Sequence, residues 1–435
     1  MNVSTQSLQV ALEPLVGNWV RPAADTDVVA GVQPRVVVEP GCEEEVAAVL
    51  AFADTEGLRV LVRGGGTQLA MGFPPTGGDI LLSTTRLNHI VEHVPHDLTV
   101  TVQAGLPLTA LQSTLAQAQQ WLALDPDLGA QATIGGVIAT NATGSRRLRY
   151  GGVRDQIIGI RVVLADGTIA KGGGKVVKNV AGYDLPKLFT GALGTLGVIV
   201  TATFRLYPLA PASRTVLLTT ASLASLCELV VQVIGSTLVP TMVDVLGTTS
   251  QANTYTMAVR FEMGQEAAEA QAATLCGMAK ETIGHLPQTT RVVEGEVETQ
   301  FWSQADHLGA PPQSPQSTVM IKTSLLPTEV MDWLTRLEYV CQQKQLWANW
   351  RAHAGHGLVF VHLCGDDAAL VTAIRELRQV ATAARGSLIV VEAPPELMQQ
   401  LDAWGPSPAL AVMRRLKTRF DPHSTLNAGR FVGGI

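Results

Sequence analysis

Apolar and polar positions alternate in short blocks along most of the chain, and the period changes from block to block. From Arg35, "RVVVEP" is a continuous apolar run of strand length closed by proline. "GCEEEVAAVLAFADTEG" follows, with acids in its first turn, an apolar stripe at helical spacing and a terminal glycine, so it predicts a helix. "LRVLV", residues 58–62, predicts another strand, and it runs into Arg63 and the glycines Gly64, Gly65 and Gly66. "DILLSTTRLNHIVEHVPHDLTVTVQAG" predicts short strands with turns at Asn88 and at residues 95–97. "PLTALQSTLAQAQQW" predicts an amphipathic helix, and "QIIGIRVVLADGTIAKGG" a hairpin turning at Asp166 and Gly167. "LGVIVTATFRLYPLAP" is a strand ending in prolines.

Beyond Ala221 the pattern settles into helix and strand in alternation, from "LASLCELVVQVIG" and "TYTMAVRFEM" to "GLVFVHLCG", "DDAALVTAIRELRQVATAARG" and "SLIVVEAPP". This predicts an α+β domain, an antiparallel sheet covered by helices. "HLGAPPQSPQST" reads as an exposed Pro-rich loop between two of its elements. The expected organisation is an N-terminal segment over residues 1–30, helical and then loose, and a glycine-rich domain over 31–210, bounded by Pro208 and Pro211. The α+β domain then spans 211–408, and a C-terminal helix and tail, 409–435, return to the glycine-rich domain. No internal repeat is legible.

Composition narrows the function classes. With 46% hydrophobic and 16% charged residues over 435 positions, the chain is folded and long enough for two or three domains. The formal net charge is -6 and the basic residues are scattered, which excludes an electrostatic footprint for nucleic acid. One basic cluster, Arg146, Arg147 and Arg149, reads as a solvated loop. The opening "MNVSTQSLQVALEPLVG" has no signal-peptide pattern, and no apolar run approaches the ~18 residues of a membrane span. A cytoplasmic protein is expected, with peripheral attachment at the inner face of a membrane left open. The five cysteines are widely spread, without CxxC, zinc or ferredoxin spacing, so they read as reduced, buried thiols. An electron carrier in this chain is then not an iron–sulfur cluster of its own.

The chemistry starts at the glycines after residue 62. Consecutive glycines at the end of a strand can turn several backbone N–H groups toward one point, and such a nest binds phosphate oxygens. Thr67 adds a hydroxyl and Arg63 a positive charge. There is no Walker A loop, and Leu69 stands where a Rossmann fingerprint needs its third glycine. A pyrophosphate loop of another flavin fold and a plain tight turn remain. "ATIGGVIATNATGS", residues 132–145, supplies paired glycines and small side chains against which a flat ligand can lie, with Thr140 and Asn141 as hydrogen-bonding groups. Gly194 and Gly197 in "GALGTLGVIV" permit close backbone approach, and a returning tail, "KTRFDPHSTLNAGRF", can bring Asn427 to the same place.

RGGGTQ, ATIGGVIATNATG, YGGVRDQIIGIRVVLADG with LGTLGVI, and the terminal FDPHSTLNAGRF stand in this order in the chain. Together they resemble the FAD-binding oxidoreductases of the vanillyl-alcohol-oxidase type, the PCMH family. The resemblance covers about residues 30–210 and the C-terminal tail. Within that family, "GGGKVVKNVAGYDLPKLFTGALGTLG" resembles the FAD-binding E subunit of glycolate oxidase (glycolate dehydrogenase). The resemblance implies a PCMH-type FAD-binding domain of two α/β subdomains plus an α+β cap domain. It implies a pyrophosphate loop of Arg63, Gly64, Gly65, Gly66, Thr67 and Gln68. Thr133, Ile134, Gly135, Gly136, Asn141 and Gly144 would line the adenosine and flavin side. Gly197, Val198 and Ile199 would offer backbone to the ring system, with Asn427 approaching from the tail. Some relatives tether FAD through a histidine in or beside the loop; Thr67 and Gln68 stand there, which implies non-covalent FAD.

Oxidation of a 2-hydroxy acid by a flavin needs a base for the hydroxyl proton, a cation for the carboxylate and a flavin to accept hydride. Catalytic sister subunits of the family carry GHxGDGNxH, a histidine pair able to hold a metal, and a later GEHG. In "AHAGHGLVFVHL", His353 matches the first histidine and Phe360 stands in place of the second, while His356 and His362 are out of register. Glu392 matches the later glutamate without a following histidine. No metal is expected, and no catalytic residue is assigned; His353 and His356 are readable as a base or as polar residues on a turn before a buried strand. Lys175, Lys178, Tyr183 and Asp184 read as a polar group that satisfies itself. The expectation is an FAD subunit of a multi-subunit glycolate oxidase, working with a catalytic flavin subunit and an iron–sulfur subunit. The alternatives are a self-sufficient FAD-linked 2-hydroxy-acid dehydrogenase and a flavin-free scaffold.

Overall fold

The computed structural model describes residues 4–126, 129–175, 182–249, 254–283, 288–306 and 316–435. The chain divides into two compact units, the first holding residues 1–143, 151–209 and 406–435, the second residues 144–150 and 210–405.

In the first unit, β1 (Val20–Pro22), β2 (Val36–Val38), β3 (Val60–Arg63) and β4 (Ile80–Ser83) form a sheet in the order β1-β2-β4-β3. β2 and β3 run parallel to β4, and β1 is antiparallel to β2. Their apolar runs are continuous because both faces are covered. Val36, Val38, Val60, Ile80 and Leu82 enter a core with Leu8 and Leu12 of the helix Thr5–Val16 and Val46, Val49 and Leu50 of the helix Glu43–Thr55. Val37, Leu61 and Leu81, one residue out of phase, enter a smaller core with Val29. Leu8, Leu12, Val16, Val20 and Val29 thus tie the described part of the N-terminal segment to this unit's cores.

The second sheet of this unit contains β5 (Ile90–Val94), β6 (Thr99–Gln103), β8 (Ile157–Val163), β9 (Ile169–Gly173) and β10 (Val198–Arg205), in the order β5-β6-β10-β8-β9 and antiparallel throughout. β7 (Gln120–Trp121) pairs with β11 (Tyr207–Pro208) beside it. The tail returns to the first sheet after the helix Leu410–Phe420: Leu426 bridges Val60 in parallel, and Asn427 N–H donates to Val60 O. Lys417 fixes that return, its buried Nζ donating to Asp421 Oδ2, Thr195 O and Leu426 O.

The second unit is one antiparallel sheet of β12 (Ala212–Thr220), β13 (Met242–Thr248), β14 (Tyr255–Met263), β15 (Gln288–Val293), β16 (Ser317–Ser324), β17 (Trp347–His353), β18 (Leu358–Gly365) and β19 (Ser387–Glu392). The order is β15-β12-β14-β13-β17-β18-β16-β19. Cut between β13 and β17, each half reads strand-helix-strand-strand-helix-strand with the same internal order, the split βαβ arrangement. The sequence reading found no repeat, and here the structure corrects it. "LASLCELVVQVI" and "VMDWLTRLEYVCQQK" occupy equivalent helices and share only their apolar spacing. The basic cluster is corrected too: Arg147–Tyr150 is a short helix of this unit, and Arg146 pairs with Glu262 at 2.8 Å. Of the cysteines, Cys227, Cys341 and Cys364 are buried, while Cys42 and Cys276 are only half-buried. The Pro-rich loop lies largely outside the described residues.

Candidate functional site

The glycine stretches of the first unit converge on one cleft. One wall is the loop after β3: Gly64, Gly65, Gly66, Thr67 and Gln68. Thr133, Gly135, Gly136 and Thr140, at the helix Ile134–Thr140, form the second. Gly194 and Gly197 with Val198 and Ile199, entering β10, form the third, and Asn427 and Arg430 of the tail close it.

The glycines are required by backbone approach. A Cβ on Gly65 would stand 1.7 Å from Gln131 O, and one on Gly64 2.2 Å from Thr133 Oγ1. Gly66 has φ +78°, in the left-handed region. The loop is therefore pressed onto residues 131–133, and Thr133 Oγ1 accepts from Gly65 N–H at 3.3 Å and Gly136 N–H at 3.4 Å. Among the described residues no protein acceptor takes the N–H groups of Gly66, Thr67 or Gln68. The side-chain oxygen of Gln68 is buried with no hydrogen-bond partner. Open donors on a glycine loop and an orphaned buried oxygen fit an anionic ligand with a polar edge. Thr133→Ala removes the cap of its helix and the staple to Gly65; it should lower stability by about 1 kcal/mol in urea unfolding and reduce bound ligand in the same preparation.

Not every expected residue lines the cleft. The Arg63 guanidinium turns away to Asp27, 2.9 Å from a carboxylate that also takes both terminal nitrogens of Arg21. A buried carboxylate holds its cations; the Arg21 hydrogen bond above all keeps the Asp27 carboxyl well below the usual range. Ile134 packs fully buried in the core. Asn141, at φ +49°, ends the helix in a left-handed cap. Gly144 belongs to the second unit, where its carbonyl accepts from His356. Asn427 reaches the cleft, but its amide is committed to protein: Oδ1 accepts from Val62 N–H at 3.0 Å and Nδ2 donates to Leu193 O at 2.6 Å. It staples two walls.

Residues 34–173 match the family described as FAD binding domain. Over that stretch, less than half of its length, the chain is similar to an FAD binding domain. Its D-lactate dehydrogenase relative from Archaeoglobus fulgidus is 44% identical over 174 residues, 40% of this chain and 39% of that one. Glycolate oxidase subunit GlcD of Bacillus subtilis is 34% identical over 213 residues, 49% of this chain and 45% of that one. D-2-hydroxyglutarate dehydrogenase of Xanthomonas citri pv. viticola is 40% identical over 187 residues, 42% of this chain and 39% of that one. The matches span less than half the length of these relatives. Among solved structures, alkyldihydroxyacetonephosphate synthase shares the fold, with a TM-score of 0.70 over 91% of this chain and 76% of that one at 16% identity.

FAD, when bound, supplies an acceptor for two electrons. The protein's part is to hold it: the glycine loop offers N–H donors and the Gln68 amide a polar edge, while Val198 and Ile199 supply apolar surface.

The second unit carries a separate buried polar cluster. Asp244 on β13 is fully buried; its Oδ2 accepts from Ser145 Oγ at 2.5 Å and Arg351 Nε at 2.7 Å. Burial alone would raise its carboxyl, but the neighbouring His353 and Arg351 hold it well below the usual range. Because the single Ser145 proton goes to Asp244, His353 Nδ1–H must donate, to Ser145 Oγ at 2.7 Å and Asp244 Oδ1 at 3.1 Å. Phe360, on β18, packs its ring 5.5 Å from the His353 ring. His356 Nε2–H donates to Gly144 O at 3.3 Å, which leaves Nδ1 buried without a partner. Burial, then the nearby His353, pushes His356 down to about 3. Lys322 on β16 lies 5.7 Å from the Phe360 ring centre, pushed down to about 8 by burial and by the charge of Arg147. Glu392 is exposed at the end of β19.

Sequence reading singled out His353 and His356 and missed Ser145, Asp244, Arg351 and Lys322. The signal was present: "MVDVLGT" and "VMIKTS" each hold one charge within an apolar strand, and a buried charge needs a partner or a use. The polar group after residue 174 does not satisfy itself. Lys175 pairs with Glu92 and Asp184 with Lys187, Tyr183 is 92% exposed, and Lys178 lies outside the described residues.

Proposed function

We propose that this chain is the FAD-binding subunit of a multi-subunit glycolate oxidase or dehydrogenase, converting glycolate to glyoxylate with a catalytic flavin subunit and an iron–sulfur subunit. FAD is held non-covalently and relays electrons or supports assembly. Membrane association, where it occurs, runs through the partners; no helix among the described residues is long and apolar enough to cross a membrane.

The observation that carries this reading is the state of the two histidines. A general base works best with a pKa near the working pH. His356, at about 3, holds a proton too weakly for that role at neutral pH. His353 has its Nδ1–H fixed to Asp244 and Ser145. A second reading, a self-sufficient FAD-linked 2-hydroxy-acid dehydrogenase acting on D-lactate or a similar substrate, is favoured by the names of the relatives. Lys322 supports it as well, a half-buried amine suited to a carboxylate.

The test is an anaerobic titration of the purified chain with glycolate and then D-lactate, watching the visible flavin band. The band should stay oxidised until the partner subunits are added. Bleaching of the isolated chain would overturn the relay reading and establish the second.

A further inference from the structure

A dinucleotide brings a pyrophosphate dianion into the cleft, and neutral N–H donors alone do not balance its charge. Among the described residues lining the cleft, Arg430 is the one with a charged side chain. Arg63, the arginine written into the loop itself, is committed to Asp27. Arg430 is 4% exposed, and its Nη2 donates to Leu69 O and Met71 O, just past the glycine loop. Its backbone is pinned as well: Arg430 N–H donates to Asn427 O, and Phe73 N–H donates to Arg430 O. Burial pushes Arg430 down to about 10, so it remains a cation at neutral pH, in surroundings where an anion binds it strongly.

We propose that Arg430 is the fixed counter-charge of the cleft, and that its guanidinium, clasped to the glycine loop by Leu69 and Met71, binds the pyrophosphate of FAD. The proposal rests on the cleft being the FAD site. It assigns to the tail the cation that the sequence places at Arg63.

Apo-protein of the full chain, freed of flavin, is titrated with FAD at low and moderate salt and followed by flavin fluorescence; Arg430→Lys and Arg430→Gln are compared with the unaltered chain. Lysine keeps the charge with fewer donors, and glutamine keeps an amide donor without the charge. The expected result is a loss of roughly 10- to 100-fold in FAD affinity for Arg430→Gln and only a few-fold loss for Arg430→Lys. Added salt should weaken binding by the unaltered chain and barely change binding by Arg430→Gln. Thermal unfolding of each apo-protein reports separately on the clasp. Equal losses in both variants without a salt effect, or unchanged affinity in both, would overturn the proposal while leaving the cleft reading intact. Failure of the unaltered apo-protein to bind FAD would sink the cleft reading and the proposal with it.

Discussion

Gly65→Ala should yield a protein that purifies almost free of flavin. The added Cβ would stand 1.7 Å from Gln131 O and 2.7 Å from its carbonyl carbon, and both are backbone atoms that no rotamer change can move aside. The loop must lift off residues 131–133, which breaks the bond from Gly65 N–H to Thr133 Oγ1 and turns the open N–H groups of Gly66, Thr67 and Gln68 out of register. Overpacking of this kind costs about 1–3 kcal/mol, and binding falls further because the donors no longer converge. Gly66→Ala is the control. Its Cβ would find nothing closer than 3.8 Å, and only the positive φ resists it, at about 1 kcal/mol. Flavin-to-protein ratios from visible absorption, with urea unfolding of the apo-proteins, separate the two. The expected order of retained flavin is unaltered chain, Gly66→Ala, Gly65→Ala. A Gly65→Ala protein with a full complement would mean that residues 131–133 are no fixed wall.

The cleft was legible in the sequence because its walls are made of backbone. Runs such as Gly64 to Gly66 and Gly135 with Gly136 leave a mark that needs no partner to interpret, and the structure brings them together. Side-chain roles were less legible, since a side chain's use depends on which residue folds against it. Arg63 looks like a phosphate ligand until Asp27, far away in the chain, folds beneath it. Asn427 looks like a ring contact until Val62 and Leu193 take its amide. The strands followed the same logic. The apolar runs at residues 36–38, 60–62 and 80–82 read as strands, and the structure shows those residues filling two cores. The duplicated sheet of the second unit stayed hidden, because its halves repeat an order of elements and not an order of residues. The excursion of residues 144–150 into that unit was hidden for a similar reason: Ser145 and Arg146 owe their place to Asp244 and Glu262, about a hundred residues on.

Asp244→Ala should be the most destabilising single change in the second unit. It strips Arg351 and His353 of the carboxylate that justifies their burial, and it takes from Ser145 the acceptor of its only proton. Breaking a buried pair from one side costs about 3–5 kcal/mol, because the remaining charge stays behind without compensation. Truncating Arg351 as well should recover part of that loss, so the double variant should fall short of the sum of the single changes. The readout is urea unfolding followed by tryptophan fluorescence, and Trp302, Trp333, Trp347, Trp350 and Trp404 all lie in the second unit. The pH dependence gives a further check. The Asp244 carboxyl is held below its ordinary value of 3.8, so the folded state binds fewer protons there than the unfolded state. Its contribution is complete above that value and is lost as the pH falls through the lower, folded one. The difference between the unaltered chain and Asp244→Ala should therefore hold constant from neutral pH down to about pH 4 and shrink below it. A gap that closed already between pH 7 and 5 would overturn the assignment of the stabilisation to the carboxylate.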